Sequence, residues 1–134
     1  MVPISRAYLT WITVPAGTAA GATIKFPDVS RLRGKRIIGV EAYDDVMLAF
    51  TPDGQTVIAT ADGPKVVLTL RRASDSMLDN VPIRTLMVNV TAGIWKQLRP
   101  FEVDFQKSDI FMAGTPAATA FTVPFLFYYL DEGE

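Results

Sequence analysis

The sequence predicts an all-β domain: an antiparallel two-sheet β-sandwich with at most one short helical turn. Three observations carry that prediction. Apolar residues recur with period two or in short unbroken runs, and no segment sustains a helical period. Clusters of Pro, Gly and Asp punctuate the chain at short intervals, as turns between strands do. The 134 residues fit one domain, spanning 1–134, with no internal repeat and no linker to divide it.

Arg6 to Val14 is dense in Tyr, Trp, Ile, Val and Thr and predicts the first strand, ended by Pro15-Ala16-Gly17. Ala22 to Phe26 predicts a second, stopped by Pro27-Asp28. Arg31-Leu32-Arg33-Gly34 reads as a loop or a single helical turn. Lys35 to Tyr43 then runs as a long strand, with Ile37, Gly39 and Glu41 on one face and Ile38, Val40 and Ala42 on the other. Asp44-Asp45 turns the chain.

Val46 to Thr51 predicts a short strand, and Pro52-Asp53-Gly54 a turn in which Pro presets φ, Asp accepts local backbone bonds and Gly permits positive φ. Val57 to Ala61 follows as a strand, Asp62-Gly63-Pro64 reverses the chain, and Lys65 to Leu70 continues the pattern up to Arg71-Arg72. Turns this closely spaced predict a meander.

Ala73 to Asn80 is polar, and Ser74 is a candidate N-cap for a helical turn carrying Met77 and Leu78. After Pro82, Ile83 to Val90 has apolar residues on both faces, as a strand buried between two layers does. Phe101, Val103 and Phe105 alternate with Glu102, Asp104 and Gln106, so one face of that strand meets a core and the other water. Ala120 to Leu130 is almost wholly apolar and predicts a strand lying centrally in a sheet or in a subunit contact. Eight or nine such strands with irregular connections favour an eight-stranded jelly roll over an immunoglobulin-like sandwich, for which a Cys, Trp, Cys framework would be more usual.

The uncharged run from Ile110 to Leu130 is long enough to span a bilayer, but Gly114, Pro116 and Pro124 interrupt it and its close is rich in strand formers. It is read as strand, and no transmembrane span is expected. The start of the chain imitates a short signal peptide, with Arg6 before an apolar stretch and Ala20-Gly21-Ala22 after it. Threonines and Pro15 break that stretch, which reads as a strand of the fold.

Composition narrows the chemistry. Thirteen Lys and Arg against fourteen Asp and Glu are scattered through both halves, giving a formal charge of -1 and no general nucleic-acid footprint. The chain has no Cys and no His. That removes disulfides, thiolate zinc sites, cysteine nucleophiles and the side chain most used as a general base. The expectation is a protein that is not an enzyme, with no catalytic residue, no cofactor and no metal site.

Four constellations remain. Glu102 and Asp104 share a strand face, as a general acid/base pair could, but their clean alternation reads as a solvated face. Asp44, Asp45 and Asp53 lie in turns without the spacing of a calcium loop. Arg31, Arg33, Lys35 and Arg36 crowd four of the thirteen basic residues into six positions, a solvated loop or a docking point for an acidic surface. Trp95 reads equally as a ligand-stacking ring, an interface anchor or a plug at the end of the sandwich.

The apolar surplus is the most informative feature. A domain of this size buries only about two-thirds of its unfolded surface. With 49% hydrophobic and 20% charged residues, the chain is expected to leave apolar patches that association would cover.

The turns rich in Pro, Gly and Asp, the stretch Phe101-Glu-Val-Asp-Phe-Gln-Lys-Ser-Asp-Ile-Phe111 and the closing strand Phe121-Thr-Val-Pro-Phe-Leu-Phe-Tyr-Tyr129 resemble the small single jelly-roll structural proteins of icosahedral virions, in particular bacteriophage capsid, penton or auxiliary head proteins. The resemblance is architectural and covers most of the chain. It implies a virion subunit assembled in the host cytoplasm, forming pentamers or trimers with copies of itself and neighbouring capsid proteins. On that expectation the basic residues Arg31, Arg33, Lys35 and Arg36, the acidic tail Asp131, Glu132 and Glu134, and Trp95 are candidate interface residues. The alternative is a ligand-binding or adhesive β-sandwich, such as a carbohydrate-binding module, using Trp11, Trp95 or tyrosines as stacking platforms.

Overall fold

A computed structural model describes residues 4–27, 29–72, 75–86, 96–114 and 119–131. Eight strands are present: β1 Ile4–Val14, β2 Thr23–Lys25, β3 Arg36–Ala42, β4 Val66–Arg72, β5 Asp75–Pro82, β6 Lys96–Glu102, β7 Asp109–Met112 and β8 Phe121–Asp131. Three short 3-10 turns, Ser30–Leu32, Thr60–Lys65 and Ile83–Leu86, lie between strands, and the described residues contain no α-helix.

The strands form two four-stranded antiparallel sheets, in the orders β1-β8-β3-β6 and β2-β7-β4-β5. Four of the pairings are β1 with β8, β2 with β7, β3 with β6 and β4 with β5. That is one long hairpin folded at the β4–β5 connection. Rolling it up brings β8 beside β3 and β7 beside β4. The result is the jelly roll, in which both sheets turn an apolar face to a shared core.

Residue alternation explains most of that core. Ile12 and Val14 of β1, Leu68 and Leu70 of β4, Ile110 and Met112 of β7, and Phe121, Val123, Phe125, Phe127 and Tyr129 of β8 all point inward and are buried. At one end of the sandwich four rings pack together. Phe26 lies 5.4 Å from Phe105 and 5.6 Å from Phe125, and Phe105 meets Phe127 edge to face at 5.3 Å.

Strand β3 breaks its expected alternation. A bulge between Ile37 and Gly39 shifts the register against both neighbours, so Ile37, Val40 and Ala42 all reach the core. Glu41 consequently lies on the outer face.

The segment from Val46 to Thr51 is not a strand. The buried carboxylate of Asp44 accepts hydrogen bonds from the Val46 and Met47 amides at 3.1 and 3.2 Å, winding the chain into a turn that leaves Val46 and Phe50 exposed. Val57 to Ala61 is likewise not a full strand. Val57 makes one parallel bridge to Thr122 before the chain enters the turn Thr60–Lys65. β4 then joins the other sheet, so the predicted meander is replaced by a crossover. The Pro52-Asp53-Gly54 turn forms as predicted, with Gly54 at φ +83° and its amide 2.8 Å from the Thr51 carbonyl.

The expected helical turn within Ala73 to Asn80 is instead part of β5, with Leu78 opposite Leu70 and Val81 opposite Leu68, and Ser74 lies outside the described residues. Pairing and burial of Met77, Leu78 and Val81 against the core override weak local helix signals. Ile83 and Leu86 are buried from a 3-10 turn rather than a strand, and 87–90 lie outside the described residues. β6 ends at Glu102, so Val103 and Phe105 enter the core from a turn.

Pro124 sits in the middle of a central strand, where proline is normally excluded. Thr122 exchanges hydrogen bonds with Thr56 and Ile58, and the Pro124 carbonyl accepts from the Tyr43 amide at 3.2 Å. Even-numbered residues at this point of β8 therefore address the β3 side. Pro124 falls where β3 has ended at Ala42 and residues 56–58 take over, so its missing donor breaks no ladder bond.

Truncating Phe127, fully buried between Phe26 and Phe105, is expected to cost roughly 3–5 kcal/mol. A urea unfolding curve of the Phe127→Ala variant, read against the parent chain, measures that loss.

Candidate functional site

The strand directions bring the β2–β3, β4–β5 and β6–β7 connections to one end of the sandwich, beside the start of β1 and the end of β8. Most of the basic side chains gather there. A groove of about 760 Å³ opens between these connections. Phe26, Pro27, Val29, Val103 and Phe105 line it on the apolar side, and Arg33, Arg72, Glu102, Asp104 and Gln106 on the polar side.

Each wall has a local cause. The turn Ser30–Leu32 buries Leu32 and directs Arg31 and Arg33 outward, and Gly34 at φ +77° lets the chain enter β3. The β6–β7 turn is held by Asp104: its carboxylate accepts the Gln106 amide at 3.1 Å, and its carbonyl accepts the Ser108 hydroxyl at 2.8 Å. Ser108, fully buried, in turn accepts the Arg71 amide at 3.0 Å. Asp104 is thus employed in turn structure rather than paired with Glu102 for acid/base work. Glu102 is exposed and the two no longer share a strand, because β6 stops between them.

The predicted basic cluster is on the surface but already engaged within the chain. Arg31 stacks over the Tyr8 ring at 5.7 Å. Lys35 lies 3.5 Å from Asp131, and Arg6 binds the same carboxylate at 2.8 Å. Arg36 is exposed on β3, opposite Leu130 on one side and Glu102 on the other. Of the predicted acidic tail, Asp131 therefore serves an ion pair inside its own chain. Glu132, Glu134 and Trp95 lie outside the described residues.

Trp11 is half-buried on the outer face of β1. The Thr51 hydroxyl above all, and the Gln55 amide with it, hold the Asp53 carboxyl below its usual range against the opposing effect of desolvation. Asp44 and Asp45 share the Thr60 hydroxyl at 3.0 and 3.3 Å, a turn network. No group of acidic side chains among the described residues is arranged to hold a metal ion.

Glu41 is the polar residue that periodicity did not single out. It is 5% exposed, and its two carboxylate oxygens accept the Tyr43 and Tyr128 hydroxyls at 2.9 and 3.0 Å. Burial and the adjoining carboxylate push the Tyr128 phenol up to about 12 and raise that of Tyr43 further. Both phenols stay protonated as donors, and the trio staples β3 to β8 on the outer face. The only sequence signal was the pairing of one carboxylate with tyrosines in otherwise apolar strands.

No family model, curated protein or solved structure matches this chain. Among the described residues no helix is long and apolar enough to cross a membrane.

Replacing Glu41 by Ala leaves two phenols without their acceptor and is expected to destabilise by roughly 1–3 kcal/mol. Gln at 41 keeps an acceptor and should recover part of that loss; chemical denaturation of both variants reads the difference. Asp109 gives a pH prediction. Burial raises its carboxyl above the usual value, partly opposed by Lys25 and Arg71. A carboxyl raised in the folded state binds its proton more tightly there, so ionisation weakens the fold at neutral pH, and the penalty fades as pH falls through the raised value. Asp109→Asn is expected to melt slightly higher than the parent at pH 7, with the gap closing on acidification.

Proposed function

We propose that this chain is a structural virion subunit: a jelly-roll capsid protein, at a vertex or as a minor shell component, that self-assembles into a symmetric oligomer within an icosahedral shell. The observation that supports this best is the strand order. A single short chain folds as β1-β8-β3-β6 over β2-β7-β4-β5, and such eight-stranded rolls recur in capsid shells, lectins and metal-binding cupins. The last group uses histidine ligands that this sequence lacks. The step from fold to role is analogy.

Half-exposed apolar side chains on the outer face of the β1-β8-β3-β6 sheet, including Leu9, Leu126 and Leu130, support association as well. The mixed-charge groove favours the second reading, a ligand-binding sandwich. Its aromatic members Phe26 and Phe105 are buried edge to face, which leaves no open ring for a sugar.

Native mass measurement with negative-stain imaging tests the proposal. Discrete rings or shells are expected; a monomer that binds glycans would overturn it. The exposed pair Arg31 and Arg33 tests whether the basic loop docks onto an acidic surface of a neighbouring subunit. The Arg31→Glu, Arg33→Glu double variant is expected to impair assembly while keeping a cooperative unfolding transition. Lys35 is left in place because it already serves Asp131.

A further inference from the structure

Two sheets of four strands have four edges, and an unpaired edge is a template for another strand. Three of the four are blunted. β2 has only three residues and ends in exposed Lys25. β5 carries exposed Asp75, Asp79 and Pro82, two register shifts against β4, and Asn80 at φ +52°. β6 includes Lys96, Arg99 and Pro100 in its sequence and is bulged against β3. β1 has only one of these devices, the charge of Arg6 near its start. Its eleven residues pair with β8 in unbroken register, and from Ala7 to Val14 it contains no charge, proline or glycine.

The ladder also fixes which backbone groups are outward. Even-numbered residues of β8 address β3, so the odd-numbered ones exchange hydrogen bonds with β1. Their partners are the even-numbered residues of β1, Arg6 to Val14. The N–H and C=O of Ala7, Leu9, Trp11 and Thr13 therefore point away from the sheet, and no described residue supplies them a backbone hydrogen bond.

We propose that this edge is a homotypic interface, in which β1 pairs antiparallel with β1 of a second copy across a two-fold axis. The proposal rests on the reading of the chain as a self-assembling subunit and specifies its contact. For the two sandwich cores to lie on the same side of the joined sheet, core-facing even residues must oppose even ones. Placing Thr10 opposite the partner's Thr10 satisfies this. Tyr8 then meets the partner's Ile12, Leu9 the partner's Trp11, Ala7 the partner's Thr13 and Arg6 the partner's Val14. Aromatic residues oppose aliphatic ones, Arg6 meets no like charge, and the ladder stops where Pro15 lacks a donor.

Ala7 and Thr13 are exposed in the subunit, so lysine is accommodated at either. In the Ala7→Lys, Thr13→Lys double variant each lysine faces another across the two-fold axis. In Ala7→Lys, Thr13→Glu each faces a glutamate. Native mass spectrometry and sedimentation of both against the parent chain decide the matter, with a cooperative urea transition verifying the fold. The double-lysine variant is expected to dissociate about tenfold more readily and the lysine–glutamate variant to recover. Ala7→Pro is the second probe, because it removes an outward donor without touching the β8 ladder, and it should also weaken the contact. Equal association of the double-lysine variant and the parent overturns the edge contact and leaves the assembly reading standing. A parent chain that stays monomeric overturns both.

Discussion

The fold depends on the return of β8 to the middle of a sheet. In the order β1-β8-β3-β6, β1 touches its sheet only through β8. Without that strand one sheet falls into a lone β1 and a β3-β6 pair, and the core loses Phe121, Val123, Phe125, Phe127 and Tyr129 together. The pairing joins residues more than a hundred positions apart, from Val14 with Phe121 to Ile4 with Asp131. Loop-closure entropy opposes such contacts until they form, so the inward apolar face of β8 has to supply the compensating burial. The almost uncharged close of the sequence follows from that requirement.

The exceptions to regular pairing cluster around the same strand. Pro124 occupies the step where β3 gives way to residues 56–58. Just beyond it, the β3 bulge sends Ile37, Val40 and Ala42 inward and leaves Glu41 outside, where the Tyr43 and Tyr128 hydroxyls satisfy its carboxylate. A buried carboxyl that accepts one hydroxyl from the residue just after β3 and one from β8 adds directional bonds to an otherwise non-directional apolar contact. Such bonds help fix the register of β3 on β8, because a slip by one residue would strand the carboxylate.

The all-β class and the positions of β1, β2, β3, β4 and β8 were legible because each strand has a propensity and a punctuation that agree with its tertiary role. The failures occur where a side-chain hydrogen bond or a tertiary pairing overrides local propensity. Val46 to Thr51 looks extended by composition, yet the Asp44 carboxylate winds it into a turn. The polar stretch before Pro82 looks like a cap and a helical turn, yet pairing with Leu68 and Leu70 makes it β5. The basic cluster was legible as charge. That Asp131 would be shared by Arg6 and Lys35 was not, since it depends on β1, β3 and β8 meeting at one end.

That meeting bears on which forces can join one copy to another. At the charged end, Arg6 and Lys35 already share the Asp131 carboxylate within the chain, and partly exposed ion pairs are worth at most about 1 kcal/mol in any case. A contact made only by those groups would exchange one screened pair for another. The outward amides and carbonyls of β1 have no such internal competitor among the described residues. A strand laid against them completes hydrogen bonds and covers Leu9 and Trp11 in the same step. Charge at the rim is therefore suited to orienting an approach, and backbone pairing with apolar cover to holding it.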